Sequence, residues 1–139
     1  MHSNLEILLV EDNPNDVELA LHAFRANNLA NDVAVARDGA EALQLLFDPE
    51  RQVRPKVILL DLKLPKIDGL DVLRRVKSEP STKLIPVVVL TSSREERDLV
   101  ESYQLGVNSY IVKPIDFDQF TEAVRQLGLY WLLFNHPPT

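Results

Sequence analysis

The 139-residue chain carries 15 Lys and Arg against 21 Asp and Glu, a formal net charge of −6, with 45% hydrophobic and 26% charged residues. That balance suits one globular domain with a real core, excludes global disorder and argues against a basic nucleic-acid footprint. The absence of Cys removes disulfide and thiolate chemistry, and three scattered His (His2, His22 and His136) leave any metal to oxygen ligands. Met1-His2-Ser3-Asn4-Leu5-Glu6 lacks a basic n-region and no apolar run approaches the roughly 18 residues of a membrane span, so neither secretion nor membrane insertion is expected.

Leu5 to Val10 is too short for a helix and rich enough in Ile, Leu and Val for a buried strand. The period then changes: Asn13 can cap, Pro14 suits a first helical position, and Val17, Ala20, Leu21 and Phe24 recur at helical spacing up to Asn27-Asn28. Asp32 to Ala36 reads as a second strand, and Asp38-Gly39-Ala40-Glu41 opens a second helix with a capping box, which Asp48-Pro49 stops. Lys56 to Leu60 is an apolar third strand, Asp68-Gly69 precedes a helix lined by Leu70, Leu73 and Val76, and Ile85 to Leu90 is apolar on both faces, as a central parallel strand requires. Ser93 with Glu96 caps a fourth helix carrying Leu99, Val100 and Tyr103, Gly106 offers a left-handed stop, Val107 to Val112 forms a fifth strand, and Asp116 with Gln119 opens the last helix. Five strands alternating with five helices through short links read as a doubly wound α/β sheet, one domain over residues 1–139 with its core in about 5–127.

Ligands of such sheets gather beyond the carboxyl ends of the strands. Glu11 and Asp12 follow strand one, Asp61 follows Val57-Ile58-Leu59-Leu60, Thr91, Ser92 and Ser93 end strand four, and Lys113-Pro114 ends strand five. Each residue alone has an ordinary structural explanation. Together they do not, because three clustered acids repel one another unless a cation offsets them, and oxygen-only ligands favour Mg²⁺, or Mn²⁺ in vitro. Other chemistries lack their parts: four Gly make no phosphate loop, and neither a nucleophile elbow nor a His at a strand end is present.

The acids Glu11-Asp12, the block Asp61-Leu62-Lys63-Leu64-Pro65-Lys66-Ile67-Asp68-Gly69, Thr91-Ser92 and Lys113-Pro114 together resemble the receiver domain of two-component response regulators, from Ile7 to about Leu127. Val87-Val88-Val89-Leu90-Thr91-Ser92-Ser93 and the aromatic C-terminal helix are similar, more narrowly, to the stand-alone regulators paired with cyanobacterial and bacterial phytochromes. The resemblance implies a flavodoxin-like fold with strand order 2-1-3-4-5 and a cytoplasmic phosphoacceptor protein that catalyses its own phosphorylation and weakly its own dephosphorylation. Its donor would be a sensor histidine kinase. Asp61 would accept the phosphoryl group; Asp12 and Asp61 would contact Mg²⁺, Glu11 mostly through water and Lys63 through its backbone carbonyl. Thr91 would bond a phosphoryl oxygen, Lys113 would pair with Asp61 and then the phosphate, Tyr110 would be the aromatic switch, and Pro114 would follow a cis bond.

The side chain of Lys63 is expected to overhang the site and screen the acyl phosphate. Ser93 is not expected to activate a water. A small-molecule phosphatase would carry an acid just after the nucleophile, where Leu62 and Lys63 stand, and a non-phosphorylated pseudo-receiver would have lost an acid or the Lys. In the last helix Phe117, Phe120, Val124, Leu127, Trp131 and Phe134 form one stripe, while Leu129 and Leu133 lie about 140° and 180° from Val124. An apolar helix end of this kind needs a second cover, and a two-fold homodimer through helix four, strand five and helix five is expected.

Overall fold

The computed structural model describes residues 7–26, 33–50, 53–64, 67–92, 94–102, 104–107, 109–113, 118, 119 and 122. Five parallel strands, β1 (Ile7–Val10), β2 (Val33–Ala36), β3 (Val57–Asp61), β4 (Val87–Thr91) and β5 (Ser109–Val112), form one sheet in the order β2-β1-β3-β4-β5. Four helices alternate with them: α1 (Pro14–Ala26), α2 (Gly39–Phe47), α3 (Gly69–Ser78) and α4 (Arg94–Ser102). Asp118, Gln119 and Glu122 are helical, and the remainder of the expected last helix, with Leu129 and Leu133, lies outside the described residues.

Strand pleating divides the core in two. Leu8, Val10, Ile58, Leu60, Val87 and Val89 meet Ala42 and Leu46 of α2, Val72, Leu73 and Val76 of α3 and Val100 of α4. Ile7, Leu9, Val57, Leu59, Val88, Leu90 and Ile111 meet Val17, Ala20 and Phe24 of α1 on the other face. The inner strands β1, β3 and β4 are buried along their whole length, which is why their sequences are apolar without alternation. Each fully buried Leu, Ile or Val stabilises the sheet by about 1.5–3 kcal/mol relative to exposure, before entropy is subtracted.

The helix starts follow their caps. Asn13 Oδ1 accepts from Asn15 N at 2.9 Å and Asp16 N at 3.2 Å, Asp38 Oδ1 from Glu41 N at 2.7 Å, and Asp68 Oδ1 from Leu70 N at 3.2 Å. The expected Ser93–Glu96 cap of α4 falls on Ser93, outside the described residues; Glu96 Oε1 accepts from Ser92 N at 3.0 Å. Gly106 does adopt a left-handed conformation (φ 77°), and Gln104 precedes it in the same region (φ 52°). β3 and β4 start later than the apolar runs suggest. Pro86 has no N–H to contribute, and its carbonyl accepts from Ile58 N at 3.0 Å, so β4 starts after it. At the other end the ladder keeps Asp61 and Thr91 as the last strand residues, in register with Leu90 and Val112.

Strand order reverses between β1 and its two neighbours, β2 and β3, so the connections leave β1 and β3 in opposite directions and open a crevice at their carboxyl ends. Gly69 makes that crevice tight. Its amide donates to Leu62 O at 3.1 Å, and a Cβ on it would fall on the Asp61 carbonyl and 2.6 Å from Leu62 Cα. The start of α3 therefore lies directly against the chain that carries Asp61.

Candidate functional site

Four polar residues expected at the strand ends are brought together there. Glu11 leaves β1 with its amide bonded to Ala36 O at 2.9 Å, which continues the ladder one residue past Val10 and buries its side chain to 1% exposure. Asp61 at the end of β3 is 3% exposed and Asp12 is exposed; one carboxylate oxygen from each of Glu11, Asp12 and Asp61 falls within 4.8 Å of the others. Lys113, just past β5, is fixed by its backbone N–H, which donates to Thr91 O at 2.8 Å. Its ammonium lies 2.9 Å from Asp61 Oδ2, 3.0 Å from Glu11 Oε1 and 3.2 Å from Asp16 Oδ2.

The electrostatics follow from this crowding. Burial, then the adjoining Asp61 carboxylate, push the Glu11 carboxyl up to about 7, against the opposing pull of the Asn13 amide and Lys113. Burial alone would lower the Lys113 ammonium; hydrogen bonds to Asp61 and Glu11 outweigh it and hold the group well above the ordinary lysine range. Glu11 Oε2 accepts from Asn13 N at 3.1 Å. Glu11 Oε1 is close enough to Lys113 for ion pairing, yet it is the buried side-chain atom that lacks a well-directed hydrogen bond among the described residues. A buried carboxylate oxygen with spare acceptor capacity, two further acids within reach and, among the described residues, no sulfur or imidazole donor fit a hard divalent cation.

Asp61 Oδ1 accepts from Lys63 N at 3.2 Å, and Oδ2 from Lys113. Thr91 is 2% exposed at the adjacent strand end, and strand alternation turns it to the face of Val89, whose register partner on β5 is Tyr110. Tyr110 is half-buried and lines a cavity of about 150 Å³ with Val100, Glu101, Gln104, Leu105, Gly106 and Val107. The Lys63 ammonium does not stand alone above Asp61: it pairs with Glu96 Oε2 at 3.0 Å with its side chain 75% exposed. Pro114 lies outside the described residues. Sequence reasoning missed Asp16 and Glu96. Both are first-turn helix acids; Glu96 was read only as a helix cap and Asp16 not at all, and the signal that could have placed them was that their helices begin next to Glu11 and Thr91.

The response regulator receiver domain family matches residues 7–125. The chain belongs to this family. The receiver is 41% identical over 134 residues to "Probable methanogenesis regulatory protein FilR2" of Methanothrix harundinacea (95% of this chain, 86% of the relative). It is 40% identical over 129 residues to the response regulator Rcp1 of Synechocystis sp. (91% and 88%). Among solved structures it is similar to the bacteriophytochrome response regulator AtBRR, 54% identical with a TM-score of 0.84, covering 96% of this chain and 99% of that one. The phosphorylated cyanobacterial phytochrome response regulator RcpA is 40% identical with a TM-score of 0.73, at full coverage of both chains (100% each). The Mn²⁺-bound form of Rcp1 is 38% identical with a TM-score of 0.73 (97% and 99%). The receiver is thus a signalling protein of the response-regulator type, related to phytochrome response regulators, with an acidic group suited to a divalent metal. No helix among the described residues is long and apolar enough to cross a membrane.

Proposed function

We propose that this receiver takes a phosphoryl group on Asp61 from the phosphohistidine of a sensor kinase, of the phytochrome type, and signals by docking to other proteins. The observation that carries this reading is the ammonium of Lys113 held 2.9 Å from a buried Asp61 carboxylate inside a ring of three further acids. The ion pair orients the Asp61 carboxylate as a nucleophile. An Asp61 oxygen attacks phosphorus, the P–N bond of the donor breaks, and its electron pair returns to the imidazole, which takes up a proton.

Such transfers need alignment and charge neutralisation more than covalent help. Glu11, Asp12, Asp61 and the Lys63 carbonyl would hold Mg²⁺, which when bound neutralises charge on the phosphoryl oxygens; Mn²⁺ would substitute in vitro, a choice supported by the Mn²⁺-bound relative. Lys113 follows the charge from the carboxylate to the phosphoryl group. Thr91 donates its hydroxyl to a phosphoryl oxygen, and the space it leaves admits Tyr110, which changes the α4–β5 surface. The same groups give the protein its slow self-dephosphorylation and no other enzymatic role.

One receiver domain spans residues 1–139 in this reading. Leu129 and Leu133 belong to the face with α4, β5 and the last helix on which two copies pair, in the cytoplasm with the kinase. Phosphotransfer from a panel of purified sensor histidine kinases, phytochromes included, tests the donor: rapid Asp61-dependent transfer from a phytochrome-type kinase is the predicted result, and transfer from none of the panel would refute it. Leu129→Glu with Leu133→Glu shifts the protein to monomer in ultracentrifugation while Asp61 still takes phosphate; a wild-type monomer at high micromolar concentration, with and without beryllofluoride, refutes the dimer.

A further inference from the structure

A second ion-paired group borders the site without belonging to the acidic ring. Glu96, on the first turn of α4, has a side chain only 16% exposed. Its Oε1 accepts from Ser92 N at 3.0 Å, and its Oε2 accepts from Ser92 Oγ at 3.1 Å while pairing with Lys63 Nζ at 3.0 Å. Ser92 is the residue after Thr91, and Lys63, two residues after Asp61, donates its amide to Asp61 Oδ1. One carboxylate therefore ties the loop leaving β3 to the loop leaving β4, beside the acceptor and beside the hydroxyl that must move.

We propose that Glu96 is a positioning residue for the phosphoryl group: it holds Lys63 away from Asp61 and anchors Ser92, and phosphorylation proceeds with transfer of Lys63 from Glu96 to the phosphoryl oxygens. The charges favour this exchange. Phosphorylation converts a single carboxylate charge into a group of about −2 with three acceptor oxygens beside the Lys63 backbone, and that group competes directly with Glu96 for the same ammonium. Loss of Lys63 strips Glu96 of one of its partners and loosens its hold on Ser92, in the sense that lets Thr91 approach the phosphoryl group. The long stem of Lys63 and its 75% exposure permit the swing without repacking.

The inference rests on the phosphoacceptor reading of Asp61, and the test separates the two. Glu96→Gln keeps an oxygen that can accept from Ser92 N but cancels the ion pair. Beryllofluoride affinity with Mg²⁺ and acyl-phosphate lifetime are then compared among wild type, Glu96→Gln, Lys63→Met and the double variant. Glu96→Gln should bind beryllofluoride about twofold to fivefold more tightly and lose phosphate correspondingly more slowly, the range set by a partly exposed pair. The gain should shrink as salt rises to about 0.5 M and vanish in the Lys63→Met background, responses that a merely structural role for Glu96 would not produce. An unchanged Glu96→Gln, or a gain that persists in the double variant, overturns the proposal. Lys63→Met binding that keeps the salt dependence of wild type also overturns it, by a route that does not need Glu96→Gln to fold. Phosphate uptake by Asp61→Asn equal to that of wild type overturns the reading beneath it instead.

Discussion

Replacing Lys113 with Met removes the one cation, among the described residues, within ion-pair range of both Glu11 and Asp61 while keeping an unbranched side chain of similar length. The pairs at 2.9 and 3.0 Å join an ammonium that is 19% exposed to carboxylates that are 4% and 1% exposed, whereas the Asp16 contact at 3.2 Å is more open and contributes little. Breaking a buried pair from one side typically costs about 3–5 kcal/mol, and the partial exposure of Lys113 places the expected loss near the lower figure, about 3 kcal/mol at pH 8. The sign of the pH dependence follows from Glu11. Its folded carboxyl titrates near 7 against an ordinary 4.5, so the folded state holds the extra proton and stability falls as pH rises through that window. Without Lys113 the window extends upward, because one of the influences lowering Glu11 is gone. The deficit of Lys113→Met should therefore be smaller at pH 5.5, where Glu11 is protonated and the pair with Asp61 alone is lost, and widen by pH 8. Urea denaturation followed by circular dichroism at both pH values measures it, and millimolar Mg²⁺ at pH 8 should restore more stability to the variant than to wild type. Parallel pH profiles for the two proteins, or a variant more stable than wild type at pH 8, would refute the reasoning.

Gly69→Ala places a methyl group on the Asp61 carbonyl and against Leu62 Cα, neither of which can yield without moving the loop that presents the acceptor; it should destabilise the fold by about 1–3 kcal/mol and slow phosphorylation even in the folded protein. A folded Gly69→Ala that phosphorylates at the wild-type rate would show that the loop tolerates the shift. Because a bound cation must displace the Glu11 proton, Mg²⁺ affinity in calorimetric titration should fall with decreasing pH below about 7, by up to tenfold per unit, with proton release on binding. Glu11→Gln should flatten that profile.

The fold was legible because the strands are apolar on both faces and the helices are not, and because Asn13, Asp38 and Asp68 are residues that cap. Strand limits were less so. Asp61 and Thr91 are polar, yet the ladder extends through them, since what defines a strand end is the neighbour's backbone and not the side chain. The ring of Glu11, Asp61 and Lys113 could be read because each follows an apolar run in a fold whose strand ends converge. Asp16 and Glu96 could not. Acids in a first helical turn are common for reasons of the helix dipole, and only the three-dimensional placement of those turns beside Lys113 and Lys63 distinguishes them. Likewise, nothing in the sequence said that the Lys63 ammonium, expected above the acyl phosphate, would have a carboxylate partner across the crevice.

Incubation with acetyl phosphate and Mg²⁺, followed by mass-spectrometric mapping of the modified residue, tests the assignment of Asp61 most directly. One phosphoryl group on the peptide that carries Asp61, lost on Asp61→Asn without loss of fold, is the predicted result. A phosphoryl group on Thr91, Ser92 or Ser93, or equal incorporation by Asp61→Asn, would contradict it.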